Sequence, residues 1–272
     1  MLDLLSLDQL AARIPDGARI AIPKDDTGAP LAATLALMRR GVRGLHLVCV
    51  PVAGIAADLL IGAGHVTVVE TSAVTLGEHG AAPRFSAAVR AGSVRIIDAT
   101  CPAIYAGLQA SQKGIPFMPL RGIVGSDLMT HRRDWAVIDN PFADGDRLVA
   151  IQAIQPDVAL FHALAADRHG NVLVGRDRDG LLLAHASRRT LVTVEEVVGG
   201  DLMDDPLAAA GVVPALYVEA VALAPQGCRP LGFLDRYGAD DAWLARYARL
   251  ARDESGFRAC LGELQSAPFV AA

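Results

Sequence analysis

The chain has 272 residues, 52% of them hydrophobic, with 30 acidic and 25 basic side chains and a formal net charge of −5. That length can bury a sizeable core. The mild acidity and the absence of any basic run exclude an electrostatic footprint for nucleic acid.

A membrane-spanning helix needs roughly 20 mostly apolar residues. The stretch Gly44–Ala57 lacks acidic and basic side chains but contains His46 and Pro51, so such runs read as buried strands and helices, with no membrane partner. The N-terminal MLDLLSLDQLAARIPDG carries Asp3 and Asp8 and no basic segment, so it reads as no secretory signal. Cys49, Cys101, Cys228 and Cys260 form no CxxC pair, which leaves a zinc or thioredoxin reading without support and predicts reduced thiols in a cytoplasmic protein. The surplus of apolar residues fits a large interface with another chain as well as a large core.

In chain order, Ala18–Pro23 reads as a strand and Leu31–Arg40 as a helix stopped by Gly41. Strands follow at Leu45–Val50 and Val66–Glu70, then a helix at Arg84–Arg90 ending near Gly92. Val94–Ala99 is a strand, and Ala103–Lys113 a helix ending at Gly114. Further strands are expected at Ala136–Ile138, Val158–Ala163, Thr190–Val194 and Leu216–Ala222. Most runs are continuously apolar, as expected when both sheet faces are covered. Asp240–Leu264 reads as a C-terminal amphipathic helix with a break near Gly256; Trp243, Leu244, Tyr247 and Leu250 make its apolar stripe. The alternation predicts an α/β fold with a mostly parallel sheet flanked by helices. No linker or repeat divides the chain, so residues 1–272 are expected to form one domain.

Three polar clusters interrupt this pattern. DGARIAIPKDDTGAP (Asp16–Pro30) joins a strand to a helix through a polar loop, the kind of junction that offers backbone amides to an anion. It is neither a Walker loop nor GxGxxG. PLRGIVGSD (Pro119–Asp127) brackets Arg121 with glycines, leaving Arg121 either a phosphate or carboxylate partner or one half of a structural ion pair. FHALAADRHGNVLVG (Phe161–Gly175) breaks a core strand with Asp167, Gly170 and Asn171, which is either a well-made turn or a site loop.

With these pieces in order, the chain resembles the alpha (A-type) subunit of family I CoA-transferases, in particular the glutaconate CoA-transferase A-like group. DGARIAI with Gly28-Ala29-Pro30, GVRGLHLV (Gly41–Val48), DLLIGAG (Asp58–Gly64) and PLRGIVGSDL (Pro119–Leu128) carry the first half of the match. PDVALFHALAADRHGNV (Pro156–Val172), TVEEVV (Thr193–Val198) and PALYVEAVALAPQG (Pro214–Gly227) carry the second. The resemblance implies a Rossmann-like CoA-transferase fold and a loop near the acyl-CoA site at Asp167–Asn171. It implies Lys24, Gly28, Arg121, Gly122, Asp167, Gly170 and Asn171 as substrate- or CoA-binding residues. It further implies coenzyme A as part of the substrate, no permanently bound cofactor and no metal.

Two features bear on the chemistry. The family's usual Gly-Gly-Phe loop is Pro23-Lys24-Asp25 here, one residue shorter, so Lys24 either meets a CoA phosphate or pairs with Asp25 and Asp26. In heteromeric relatives the nucleophilic glutamate belongs to the beta chain, and no matching motif occurs in this one. Glu195 and Glu196 are neighbours on an expected strand and face apart, so they are no acid–base dyad. A related ring-cleaving group uses an acidic residue of the alpha chain, for which Asp98 is the nearest counterpart, as a catalytic group or else a helix cap. The expected function is the alpha half of a CoA-transferase that moves CoA between an acyl-CoA thioester and a carboxylic acid, in partnership with a beta-type subunit. A hydrolase or ring-cleaving thioester lyase subunit is the alternative, and a non-catalytic scaffold completing a partner's active site a further one.

Overall fold

The structure is a computed structural model that describes residues 4–266; Met1–Asp3 and Ala267–Ala272 lie outside the described residues, Asp3 of the N-terminal stretch among them. The chain starts with strand β1 (Leu4–Leu5) and helix α1 (Leu7–Ala12). Ser6 and Gln9 form a capping box that fixes where α1 begins. Four strand–helix units follow: β2 (Arg19–Pro23) and α2 (Leu31–Arg40), β3 (Leu45–Val50) and α3 (Ile55–Gly62), β4 (Val66–Thr71) and α4 (Pro83–Ala91), β5 (Arg95–Asp98) and α5 (Cys101–Gln112). Strand β6 (Phe117–Leu120), helix α6 (Leu128–His131) and strands β7 (Trp135–Asp139) and β8 (Arg147–Gln152) come next. The chain then returns through β9 (Val158–Asp167), β10 (Val172–Leu173), α7 (Asp179–Ala186) and β11 (Arg189–Val198). It closes with α8 (Pro206–Ala209), β12 (Val212–Val213), β13 (Ala220–Leu223), α9 (Asp241–Leu250) and α10 (Glu254–Gln265).

The main sheet runs β1-β13-β11-β9-β2-β3-β4-β5, with all these neighbours parallel. From β2 the chain winds outward through β3, β4 and β5. It then crosses back and winds the other way through β9, β11 and β13. The boundary between β2 and β9 is therefore the switch point, and the crevice beyond their carboxyl ends is where such a sheet binds ligands.

Alternate residues serve opposite faces. Ile20, Ile22, Leu47 and Cys49 pack into one core with α1, α2, α3, α9 and α10. Ala21, Val48 and Val50 pack into a second core with α5, α7 and the strand β8. The second face is thus covered partly by a three-stranded antiparallel sheet, β6-β8-β7, and not by helices alone. Two of its strands escape the sequence reading, because β6 alternates between exposed and half-buried residues and gives no continuous apolar run. The expected strand at Leu216–Ala222 begins only at Ala220; Ala215–Tyr217 is a 3-10 turn. The expected long C-terminal helix is two helices, and the break falls before Gly256. Asp253 accepts the Gly256 N–H at 2.8 Å and caps a new helix there. No helix among the described residues is long and apolar enough to cross a membrane.

Arg132 ties the small sheet to the large one. Its side chain is 3% exposed and donates to Glu70 at 3.0 Å, to Asp134 at 2.7 Å and to the Asp98 carbonyl at 3.0 Å. Its guanidinium also stacks over Trp135. Burial opposes ionisation of Glu70, but the His46 ring 3.6 Å away and the charges and hydrogen bonds of Arg19 and Arg132 outweigh it and hold the carboxyl at about 2. Removing one partner leaves a buried charge poorly compensated. Arg132→Met should therefore cost about 3–5 kcal/mol in urea unfolding; a loss under about 1 kcal/mol would place this cluster among solvent-screened pairs.

Candidate active site

Strand β2 ends at Pro23, and the next residues turn over the switch point. Gly28 has φ 84° and its carbonyl accepts the His162 N–H of β9 at 2.8 Å. A Cβ at Gly28 would lie 2.2 Å from the His162 carbonyl oxygen, so only glycine allows this approach. The turn carries Asp25 to the start of α3. There its two carboxyl oxygens lie 3.2 and 3.0 Å from the Ile55 N–H. Gly54 makes room for it, since a Cβ there would sit 1.9 Å from Oδ2.

Two cavities flank this carboxyl. One, about 640 Å³, is lined by Asp25, Thr27, Arg176, Asp177, Phe233 and Tyr237, among others. The other, about 480 Å³, is lined by Lys24, Asp25, Gly54, His79 and Asp241, among others. Burial pushes Asp25 up to about 7; the Ile55 N–H opposes this, and the nearby charges of Asp26 and Asp58 reinforce it. Burial likewise pushes Asp177 up to about 6. Lys24 lies 3.3 Å from Asp26, and its charge also favours ionised Asp177 and Asp179. Lys24 is therefore the cation of an acidic loop, paired with Asp26 and not with Asp25.

Behind the cavities lies a buried polar network. His162 contacts Glu195 through Nε2 at 2.7 Å and Thr193 through Nδ1 at 2.8 Å. Glu195 also accepts from the Tyr237 hydroxyl at 2.7 Å and the Gln226 N–H at 2.8 Å. Burial lowers the His162 pKa, so the ring is neutral, with its proton on Nε2 toward the accept-only carboxylate and Nδ1 accepting from Thr193. Burial works against ionisation of Glu195, yet its three donors hold it below the usual carboxylate range. Glu196 instead pairs with the exposed Arg236. The network anchors the segment carrying Phe233 and Tyr237, one wall of the larger cavity.

Of the sequence-predicted residues, Lys24 and Gly28 meet at the switch point. Asp167 terminates β9 and accepts from His169 N–H, Asn171 N–H, Asn171 Nδ2 and Leu202 N–H at 2.8–3.0 Å. Gly170 has φ 93°, and the Asn171 side chain accepts from the Ala215 N–H at 2.9 Å. This cluster is a turn that also pins two segments bearing the exposed Met203, Leu216 and Tyr217. Arg121 and Gly122 lie past β6. The Arg121 guanidinium forms a two-pronged pair with Asp146, with one contact at 2.6 Å. Asp98 sits three strands from β2, about 14 Å at ordinary strand spacing, and lines a third cavity of about 780 Å³ with Arg19, Glu70 and Arg132. Thr100, not Asp98, caps α5, accepting the Ala103 N–H. Sequence reasoning weighed Asp25 only as a partner for Lys24 and missed His162, Tyr237 and Asp177. His162 hides within an apolar run, and the other two belong to no motif. Among the described residues no three His, Cys, Asp or Glu side chains gather as a metal-binding group.

The sequence profile of the family described as Coenzyme A transferase matches residues 4–224, and the chain belongs to that family. It is 32% identical to the A-type subunit of 3-oxoadipate CoA-transferase from Pseudomonas knackmussii, over 97% of this chain and 93% of that one. It is 30% identical to the cholesterol ring-cleaving hydrolase IpdA subunit of Rhodococcus jostii, over 91% of this chain and 86% of the relative. The crystal structure of glutaconate coenzyme A-transferase from Acidaminococcus fermentans superposes with a TM-score of 0.87 at 27% identity, covering 96% of this chain and 88% of that chain.

Asp25 gives a stability prediction with a definite sign. Its carboxyl is raised from 3.8 to about 7, so the folded state holds a proton that the unfolded chain has released. Its stabilising contribution is complete below pH ~4 and is lost as pH rises through about 7, at about 1.4 kcal/mol for each pKa unit. Asp25→Asn should therefore gain stability relative to the parent between pH 5 and pH 8 in urea unfolding. An unchanged difference between the two pH values would contradict the desolvation of this half-buried carboxyl.

Proposed function

We propose that the chain is the A-type half of a two-subunit, cytoplasmic enzyme that moves CoA from an acyl-CoA thioester to a carboxylic acid. The observation that carries this reading is the match, nearly end to end, to the A-type subunit of 3-oxoadipate CoA-transferase and to glutaconate coenzyme A-transferase. The position of the cleft supports it, because two cavities open at the switch point around the segment that replaces the family's glycine loop.

In this reading a carboxylate of a beta-type partner attacks the thioester carbonyl and expels CoA thiolate to give an anhydride. The thiolate then attacks the partner's side of that anhydride, releasing the acyl carboxylate and leaving CoA as a thioester on the partner. This chain binds and orients. Lys24 and Gly28 shape the cleft, and Arg176 and Arg178 on its rim supply positive charge for the anionic CoA. Asp167, Gly170 and Asn171 hold the adjoining edge rigid, while Arg121 and Gly122 brace the small sheet. The partner covers the apolar side chains this edge exposes, including Leu207 at 92% and Leu216 at 87%. The four free thiols accord with a reducing compartment.

Co-expression with a beta-type subunit tests the reading. Size exclusion with light scattering should show a heteromer, and the purified complex should move CoA to a carboxylic acid. Borohydride should reduce the enzyme–CoA thioester, releasing CoA thiol and leaving an alcohol in place of one partner carboxyl, which peptide mass mapping locates. A chain that ignores such a partner, or an adduct on this chain, would overturn the assignment.

A further inference from the structure

The segment that departs most from the family's loop is also the one that enters the cleft. Where Gly-Gly-Phe would offer backbone amides and a ring, this chain has Pro23-Lys24-Asp25. The Asp25 carboxyl lines both switch-point cavities. Among the described residues its side chain has a single hydrogen-bond partner, the Ile55 N–H, so the carboxyl of this cavity-lining residue keeps further acceptor positions unused. No cation among the described residues pairs with it directly; Lys24 is engaged by Asp26.

We propose that Asp25 is a proton-transferring residue that gives the assembled enzyme a second activity, hydrolysis of the acyl-CoA thioester by water. This rests on the acyl-CoA reading above. In the first step the Asp25 carboxylate takes a proton from a water molecule while the water oxygen bonds to the thioester carbonyl carbon. The tetrahedral adduct then collapses and breaks its carbon–sulfur bond. Asp25 returns the proton to the departing thiolate. The net change is thioester plus water to carboxylic acid plus thiol, with Asp25 regenerated. A group that gives and takes a proton works best with a pKa near the working pH, and burial places this carboxyl in that range.

The groups around Asp25 set its titration. Lys24 and Asp26 stand on its own loop, and Asp58 on α3. Cys228 and Tyr237 face it from the segment after β13, with Arg176, Asp177 and Arg178 across the larger cavity. Glu78, His79 and Asp241 lie across the smaller one, His79 and Asp241 being paired at 3.3 Å. These carboxylates keep the local potential negative, which favours the protonated form at the lower end of the pH range.

The test uses the co-expressed complex, acyl-CoA and a thiol reagent, with and without a carboxylic acid acceptor. The parent should release free thiol without acceptor, and the rate should rise through a midpoint near neutrality. Asp25→Asn should lower that release about 10²–10⁴-fold and flatten the pH profile. If the Asn variant fails to fold, Asp25→Ser, which keeps an oxygen acceptor for Ile55, is measured instead. Transfer without any hydrolysis in the parent, or hydrolysis and pH profile unchanged in the variant, would overturn the proposal and leave the transferase reading standing. A parent complex that neither transfers CoA nor hydrolyses the thioester would overturn both.

Discussion

The two halves of the sheet meet where the Gly28 carbonyl accepts the His162 N–H. This contact lies just past the last β2–β9 pairing and is close enough that a side chain at Gly28 would collide with β9. It fixes the direction of the loop that follows β2. Given that direction, Asp25 reaches the first turn of α3 and Lys24 stays at the cleft surface. The same stretch of β9 sends the His162 ring to Glu195. Glu195 holds Tyr237, and so sets the opposite wall of the larger cavity. One backbone approach therefore determines both sides of the cleft.

The electrostatic design divides into two kinds of carboxylate. Glu70, Glu195 and Asp167 are surrounded by donors and stay ionised, and each fastens separate segments together. Asp25 and Asp177 have few donors, border the cleft and are raised toward neutrality by burial. The first group gives rigidity, its charge already satisfied. The second retains capacity to exchange protons, which is the property a site needs when chemistry occurs there.

Much of the architecture was legible in the sequence. The runs at Leu45–Val50 and Leu31–Arg40 coincide with a strand and a helix of the structure, because a continuous apolar run and a glycine stop are local signals. Of the antiparallel trio only the strand at Ala136–Ile138 was expected; Phe117–Leu120 alternates exposed and half-buried residues, and Arg147–Gln152 buries only the short run Val149–Ile151. The ordered motifs led to the family, and the structure separates the residues they single out. Asp167, Gly170 and Asn171 form a conspicuous pattern in sequence, yet their hydrogen bonds close on the chain itself. Asp25 stands in the loop that departs from the family's pattern and was weighed only against Lys24. Its burial depends on Gly54, distant in sequence, and could not be read from its neighbours.

The central claim is that the acyl end of the substrate enters at the switch point between β2 and β9. A crystal structure of the two-subunit complex with a thioether analogue of acyl-CoA tests this most directly. The acyl group should lie within hydrogen-bond reach of the Asp25 carboxyl, between the Gly28 turn and Tyr237. An analogue seated instead in the cavity formed by Arg19, Asp98 and Arg132, with the Asp25 cavities holding only solvent, would contradict it.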